Sequence, residues 1–318
     1  MPEGFAYTKL VEQVSSILDL AIAHNIRRNI VDAYEWLSDR YHDGDKIFLF
    51  GFSRGAYQVR ALAGMIYEVG LVTPEKKDKI PCAFQCYSAI NSGKFKDIQL
   101  AKEFKMANSR SVGIHFIGVW DTVSSVGVNK TRNLPSTNTC DYICYFRHAL
   151  ALDERRVRFQ PEYVYGGMSD RSNWFKYQSP LSPTDEDRIK EVWFAGSHSD
   201  VGGGNWKKTS RPNDFRYMSL LWMCEEAREA GLVLHPREVT CSHGYEELHE
   251  REIPNSLTLM WRLLEILPIG HLHYKSNTHK ALGRIIMPGQ KLHESVLFRP
   301  NYRPQAVFWR NLQQWPEV

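Results

Sequence analysis

Three residues of this chain have the types and setting to do covalent chemistry together: Ser53, Asp121 and His198. Ser53 lies in Gly51-Phe52-Ser53-Arg54-Gly55, between the apolar run ending at Phe50 and a helix-compatible stretch. Gly-x-Ser-x-Gly in that context predicts a strained strand-to-helix turn that exposes the serine hydroxyl at a sheet edge. Small residues are expected on both sides, at Gly51 and Gly55, because a Cβ at either would clash. A serine hydroxyl is a poor nucleophile until an imidazole takes its proton. His198 can do so if a carboxylate such as Asp121 holds its other ring nitrogen, fixes the tautomer and stabilises the imidazolium. The expected triad is Ser53 as nucleophile, His198 as base and Asp121 as acid.

Other readings of the same residues carry their own expectations. Asp121 could cap a turn through Thr122. Asp200 is a rival acid, but two residues from His198 it is expected to stabilise the turn instead. His198-Ser199-Asp200 admits a metal reading, since imidazole and carboxylate together hold divalent ions, but no H-E-x-x-H pattern accompanies it, and neither metal nor cofactor is expected. Gly202 to Gly204 resembles a phosphate cradle without the Lys-Ser/Thr of a P-loop, so these glycines are expected to let the His198 loop fold tightly. Among the rival histidines His115, His148, His271 and His273, His115 falls within a strand and is expected in the core.

The elements that must carry these residues follow from patterning. Leu10–Ala23 and Asn29–Tyr41 show helical spacing, the second with Ile30, Ala33, Trp36 and Leu37 on one side. Lys46–Phe50 reads as a strand buried on both faces, Arg54–Val69 as a helix ending at Gly70. Val112–Trp120 and Glu191–Ala195 are further strands, and Phe215–Ala230 is a helix stopped by Gly231. Strands alternating with helices predict an α/β fold: a mostly parallel sheet with helices on both faces. Ser53, Asp121 and His198 then all follow strands, at the carboxyl edge where open α/β sheets bind ligands.

The 318 residues carry a formal charge of +4, 43% hydrophobic and 24% charged residues, which is ordinary for a globular protein. No basic run suggests a nucleic-acid partner. No linker divides the chain, so residues 1–318 are expected to form one catalytic domain. Neither a signal peptide nor an apolar stretch of membrane-spanning length is visible, and a cytoplasmic location is expected. Cys82/Cys86 and Cys140/Cys144 do not match zinc spacing, and the six cysteines are expected as thiols in a reducing compartment.

The order nucleophile, acid, base is that of α/β-hydrolases. The segments GFSRGA, GVWDTVSSVG and AGSHSDVGGG, with HALALDERRVRFQPEY, SLLWMCEEA and HESVLFR, resemble a hydrolase family of bacteria and fungi. Its relatives include the phospholipase effectors of bacterial type VI secretion. The resemblance implies the same three roles for Ser53, Asp121 and His198, and ester bonds of phospholipids as substrate. Members of that family usually open on a strand ending in Phe-Asp-Gly-Thr, which is not found before Ser53, so the fold is expected to be N-terminally truncated relative to the family. By analogy with α/β-hydrolases, one oxyanion donor is the backbone N–H of Arg54, and the absent strand would bring the other. The expected function is a serine hydrolase acting on carboxylic esters; the alternative is a catalytically impaired domain serving as a binding module. Val123–Asp141 and Leu257–Tyr274 are candidate covering segments for a lipid, with core packing the favoured expectation for the latter.

Overall fold

The computed structural model describes residues 24–123, 134–156, 160–167, 188–203, 215–235, 284–298 and 302–308. The expected helix Leu10–Ala23, His271, His273, Cys241 and the segment Leu257–Tyr274 lie outside them. The chain divides into two compact units, each assembled from separate stretches, with Lys46–Tyr57, Ile114–Val123 and Asn138–Val318 in one and the remainder in the other.

The unit that carries Ser53 is built on a five-stranded sheet, and every neighbouring pair in it is parallel. Its strands are β1 (Ile47–Phe52), β2 (Ile114–Trp120), β3 (Ile143–Ala151), β4 (Ile189–Phe194) and β5 (Lys291–Leu292). They lie side by side in chain order. The predicted strands at 46–50, 112–120 and 191–195 are β1, β2 and β4 within two residues at either end. β1 runs on through Gly51 and Phe52, so Ser53 follows the strand directly.

Helix α2 (Arg54–Val69) opens immediately after Ser53, and Gly70 ends it in the left-handed conformation (φ 72°) that favours glycine. The predicted amphipathic helix near the carboxyl side is Met218–Glu229, preceded by one 3₁₀ turn, Phe215–Tyr217, and followed by Gly231 at φ 96°. Met223 and Ala227 of this helix pack with Phe116, beside Phe48, Trp120 and Tyr145 of the sheet. Gly118 makes that approach feasible, because a Cβ there would stand 2.6 Å from the Met223 sulfur and 2.8 Å from the Phe50 ring. A second cluster gathers Leu150, Leu152, Trp193, Phe194, Phe215 and Leu292 around β3 and β4.

Among the described residues the other unit contains helix α1 (residues 24–40), most of α2, and helices α3 (Ile80–Ala89) and α4 (Phe95–Asn108). The buried stripe of α1 differs from the predicted one. Ile26, Ile30, Tyr34 and Ser38 face inward, while Trp36 is 55% exposed. The hydroxyls explain the difference. Tyr34 donates to the Gly70 carbonyl at 2.6 Å and accepts from Val72 N–H at 2.9 Å, and Ser38 donates to the Val72 carbonyl at 2.6 Å. Satisfied in this way, both side chains can be buried. None of the helices is long and apolar enough to cross a membrane, among the described residues.

Candidate active site

Ser53 follows the last residue of β1, Asp121 the last residue of β2, and His198 stands four residues beyond β4. Parallel strands therefore deliver all three to one edge of the sheet. Ser53 has φ 59° and Asp121 φ 47°, left-handed values that non-glycine residues adopt at some expense in strain. The turn at Ser53 is pinned by its N–H, which donates to the Trp120 carbonyl at 2.9 Å, and by its carbonyl, which accepts from Val123 N–H at 3.4 Å.

These turns bring the predicted residues together. His198 Nε2 lies 2.8 Å from Ser53 Oγ, and His198 Nδ1 lies 2.5 Å from Asp121 Oδ2. The carboxylate can only accept, so Nδ1 carries the proton and Nε2 is the acceptor facing the serine. Asp121 is fully buried and His198 4% exposed. Burial alone would raise the Asp121 pKa, but the Arg284 guanidinium, with hydrogen bonds from His198 and Arg284, outweighs it and holds the carboxyl well below its usual range.

The glycines of the motif are not equivalent. A Cβ on Gly51 would stand 2.6 Å from the Gly55 carbonyl oxygen and 2.8 Å from the Ala56 Cα, so the expected clash is present there. At Gly55 it is absent: a Cβ would meet nothing within 4 Å, since the side-chain position of this first helical turn points into open space. Arg54 is the first residue of the helix, where N–H groups have no carbonyl partner within the helix itself. Its amide is thus suited to an oxyanion.

The loop carrying His198 is tied down on both sides. Residues His198–Val201 form one helical turn capped by Ser197, and Asp200 Oδ2 accepts from Ser197 N–H at 2.9 Å and from its hydroxyl at 2.6 Å. Asp200 is therefore the turn-stabilising carboxylate, not the partner of the imidazole. With Asp200 bound to Ser197 and His198 to Asp121 and Ser53, the two side chains serve different partners. The Phe52 ring packs against His198 with centroids 4.6 Å apart, and a Cβ on Gly202 would fall 2.1 Å from that ring. Gly202 is thus needed for the tight approach, while Gly203 takes φ 76° in open space and Gly204 is outside the described residues.

Several neighbours of these side chains have no counterpart among the predicted residues. Strand β3, also unpredicted, ends at Ala151 and is followed by Leu152-Asp153-Glu154. Ala151 N–H donates to Asp121 Oδ1 at 3.1 Å, Asp153 Oδ2 accepts from Gly196 N–H at 2.7 Å, and Glu154 Oε2 accepts from His198 N–H at 3.2 Å. Arg156 in turn grips Glu154 at 2.8 and 2.7 Å. The signal available was the Asp-Glu pair directly after the apolar end of HALALDE. Arg284 is 1% exposed and pairs with both oxygens of Asp121, the Nη2 to Oδ2 contact at 2.7 Å. No local pattern marks it.

Of the rival histidines, His148 is fully buried with Nδ1 3.0 Å from Glu191, and its Nε2 accepts from Thr122 N–H at 3.1 Å. It supports the Asp121 turn from beneath. Glu191 continues this network through Gln290 Nε2 (3.0 Å), whose Oε1 accepts from Trp193 Nε1 at 2.9 Å. His115 lies in β2 as expected but is half-buried, with Nε2 2.8 Å from the Ala230 carbonyl. The described cysteines, Cys82, Cys86, Cys140, Cys144 and Cys224, form no disulfide with one another.

The family model for the type VI secretion phospholipase effector Tle1-like catalytic domain matches residues 3–226. An uncharacterized protein of Saccharomyces cerevisiae, YEL023C, is 37% identical over 158 residues, which cover 47% of this chain and 23% of that one. The chain thus aligns with about a quarter of that curated relative's length. Two solved structures are partly similar at 20% identity. An uncharacterized protein from Pseudomonas aeruginosa superposes with a TM-score of 0.35, covering 65% of this chain and 29% of the other. The Tle1 effector bound to the VgrG spike from the type 6 secretion system gives 0.28, covering 58% and 32%.

Proposed function

We propose that this chain, which belongs to the Tle1-like phospholipase effector catalytic-domain family, is a serine esterase that cleaves carboxylic esters of lipids through Ser53, His198 and Asp121. The observation that carries the reading is the continuous set of contacts from Ser53 Oγ to His198 Nε2 (2.8 Å) and from His198 Nδ1 to Asp121 (2.5 Å). As Ser53 Oγ bonds to the ester carbonyl carbon, its proton passes to His198 Nε2, and Asp121 stabilises the imidazolium. The carbonyl oxygen, now an anion, is held by the Arg54 amide at the positive end of the helix. Collapse of the tetrahedral species breaks the bond to the leaving oxygen, which takes the proton from His198. A water molecule then gives a proton to the same nitrogen and its oxygen to the acyl carbon, freeing the acid and Ser53.

Phospholipids are the proposed substrate class on the strength of family membership. The enzyme is proposed to work as one catalytic domain over residues 1–318, in the cytoplasm. Hydrolysis of a short-chain nitrophenyl ester, and release of fatty acid from phosphatidylcholine vesicles, should both be lost in Ser53→Ala, by about four to six orders of magnitude in turnover. Equal rates for the two proteins would overturn the esterase reading. Activity on the soluble ester alone would leave the esterase in place and remove the lipid assignment.

A further inference from the structure

Asp121 accepts from four donors among the described residues: His198 Nδ1, Ala151 N–H, and the Nη1 and Nη2 groups of Arg284. A relay carboxylate needs an orienting amide or two; a guanidinium across both its oxygens is a further and unusually strong constraint. Bidentate pairing fixes the plane of a carboxylate in a way that a single charge cannot. Arg284 is itself held rigidly. Its Nη1 also donates to the Ala151 carbonyl at 3.0 Å, its own carbonyl accepts from Val307 N–H at 2.9 Å, and the next carbonyl, Ile285, accepts from the Tyr163 hydroxyl at 2.9 Å. The segment that brings it, Ile285–Ile286 paired with Val307–Phe308, lies beyond the residues matched by the family model.

Resting on the esterase reading above, we infer that Arg284 is a positioning residue of the relay: it clamps Asp121 as an ionised, fixed acceptor for His198 Nδ1, so that the carboxyl-terminal segment completes the active site. It touches no reacting atom and acts through Asp121. A carboxylate that is fully buried and set on a left-handed turn would otherwise reduce its desolvation by taking up a proton or rotating. Either change removes the acceptor that sets the imidazole tautomer. The charged and titratable groups that surround the pair are His198, the Glu154 carboxylate with its partner Arg156, and the Tyr163 phenol.

The test is the pH dependence of ester hydrolysis by Arg284→Gln and Arg284→Lys, normalised to the fraction of sites labelled by a fluorophosphonate. Without the guanidinium, burial is the main influence left on Asp121, so its protonation sets in at higher pH. The acidic limb of kcat/KM in Arg284→Gln should then move up by about one pH unit. Its kcat at the optimum should fall by about ten- to a hundredfold with KM little changed, as expected for a misplaced catalytic group. Arg284→Lys keeps the charge but not the bidentate fork, so its limb should stay near the wild-type position while kcat falls. Limbs of both variants at the wild-type position, or losses that merely track the unfolded fraction, would overturn the proposal. Should the Gln variant fail to fold, Lys still decides, because a wild-type kcat per labelled site would refute the clamp. A Ser53→Ala protein that remains active would instead refute the esterase reading itself.

Discussion

The residues that do the proposed chemistry were readable in the sequence because each carries a local mark. Ser53 sits in a glycine pattern, while Asp121 and His198 each follow an apolar run. Arg284, Glu154 and Asp153 act through partners 163, 44 and 43 positions away, and no local pattern records a contact of that kind. His293 combines a local contact with a distant one. It caps the short turn Glu294–Val296 by accepting from Ser295 N–H at 3.2 Å, and its ring stacks on Phe194 with centroids 4.7 Å apart. Burial, opposed weakly by Glu294, pushes its pKa down from 6.5 to about 4. The unfolded chain therefore binds more protons between those two values, so stability falls as pH drops from about 6.5 towards 4, by at most about 3 kcal/mol. His293→Asn keeps a capping acceptor without a titrating ring. Urea unfolding at pH 7 and pH 5 should show a smaller loss on acidification for the variant than for the wild type. An equal loss would show that His293 is not the group responsible.

Elements were readable where apolar residues run on without a break, although Phe50 of β1, expected to be buried, is 38% exposed. β1, β2 and β4 are nearly continuous apolar runs, and α2 was found at both ends. β3 was not, because Arg147 and His148 interrupt its apolar pattern. Both are buried there by partners from elsewhere, Glu226 at 2.5 Å and Glu191 at 3.0 Å. Helix α4 escaped for the opposite reason, since Phe95, Leu100 and Met106 are all exposed and leave no apolar stripe. The turn between β1 and α2 gives the sharpest test at this scale. Gly51→Ala forces a methyl group against backbone and should destabilise by about 1–3 kcal/mol. Gly55→Ala places it in open space on a helix and should be neutral or gain up to about 1 kcal/mol. Thermal unfolding of the two variants checks this, and equal damage from both would contradict the geometry at Gly55.

Across the whole molecule, the parallel sheet explains why residues 53, 121 and 198 meet. Each lies just past the carboxyl end of its strand, and parallel strands put those ends at one edge of the sheet, β1 beside β2 and β4 separated from β2 by β3. What patterning did not reveal is how much of the site comes from later chain. Arg284 and Gln290 reach Asp121 and Glu191 from a segment whose own strands are only two residues long, too short to leave a signal. The central claim is that this convergence makes Ser53 nucleophilic. It is tested most directly by treating the folded protein with a fluorophosphonate and measuring intact mass, with peptide mapping of the adduct. One stoichiometric adduct on Ser53, absent from Ser53→Ala and strongly slowed in His198→Ala, is the predicted result; an unmodified wild-type protein, or an adduct that persists without Ser53, would contradict it.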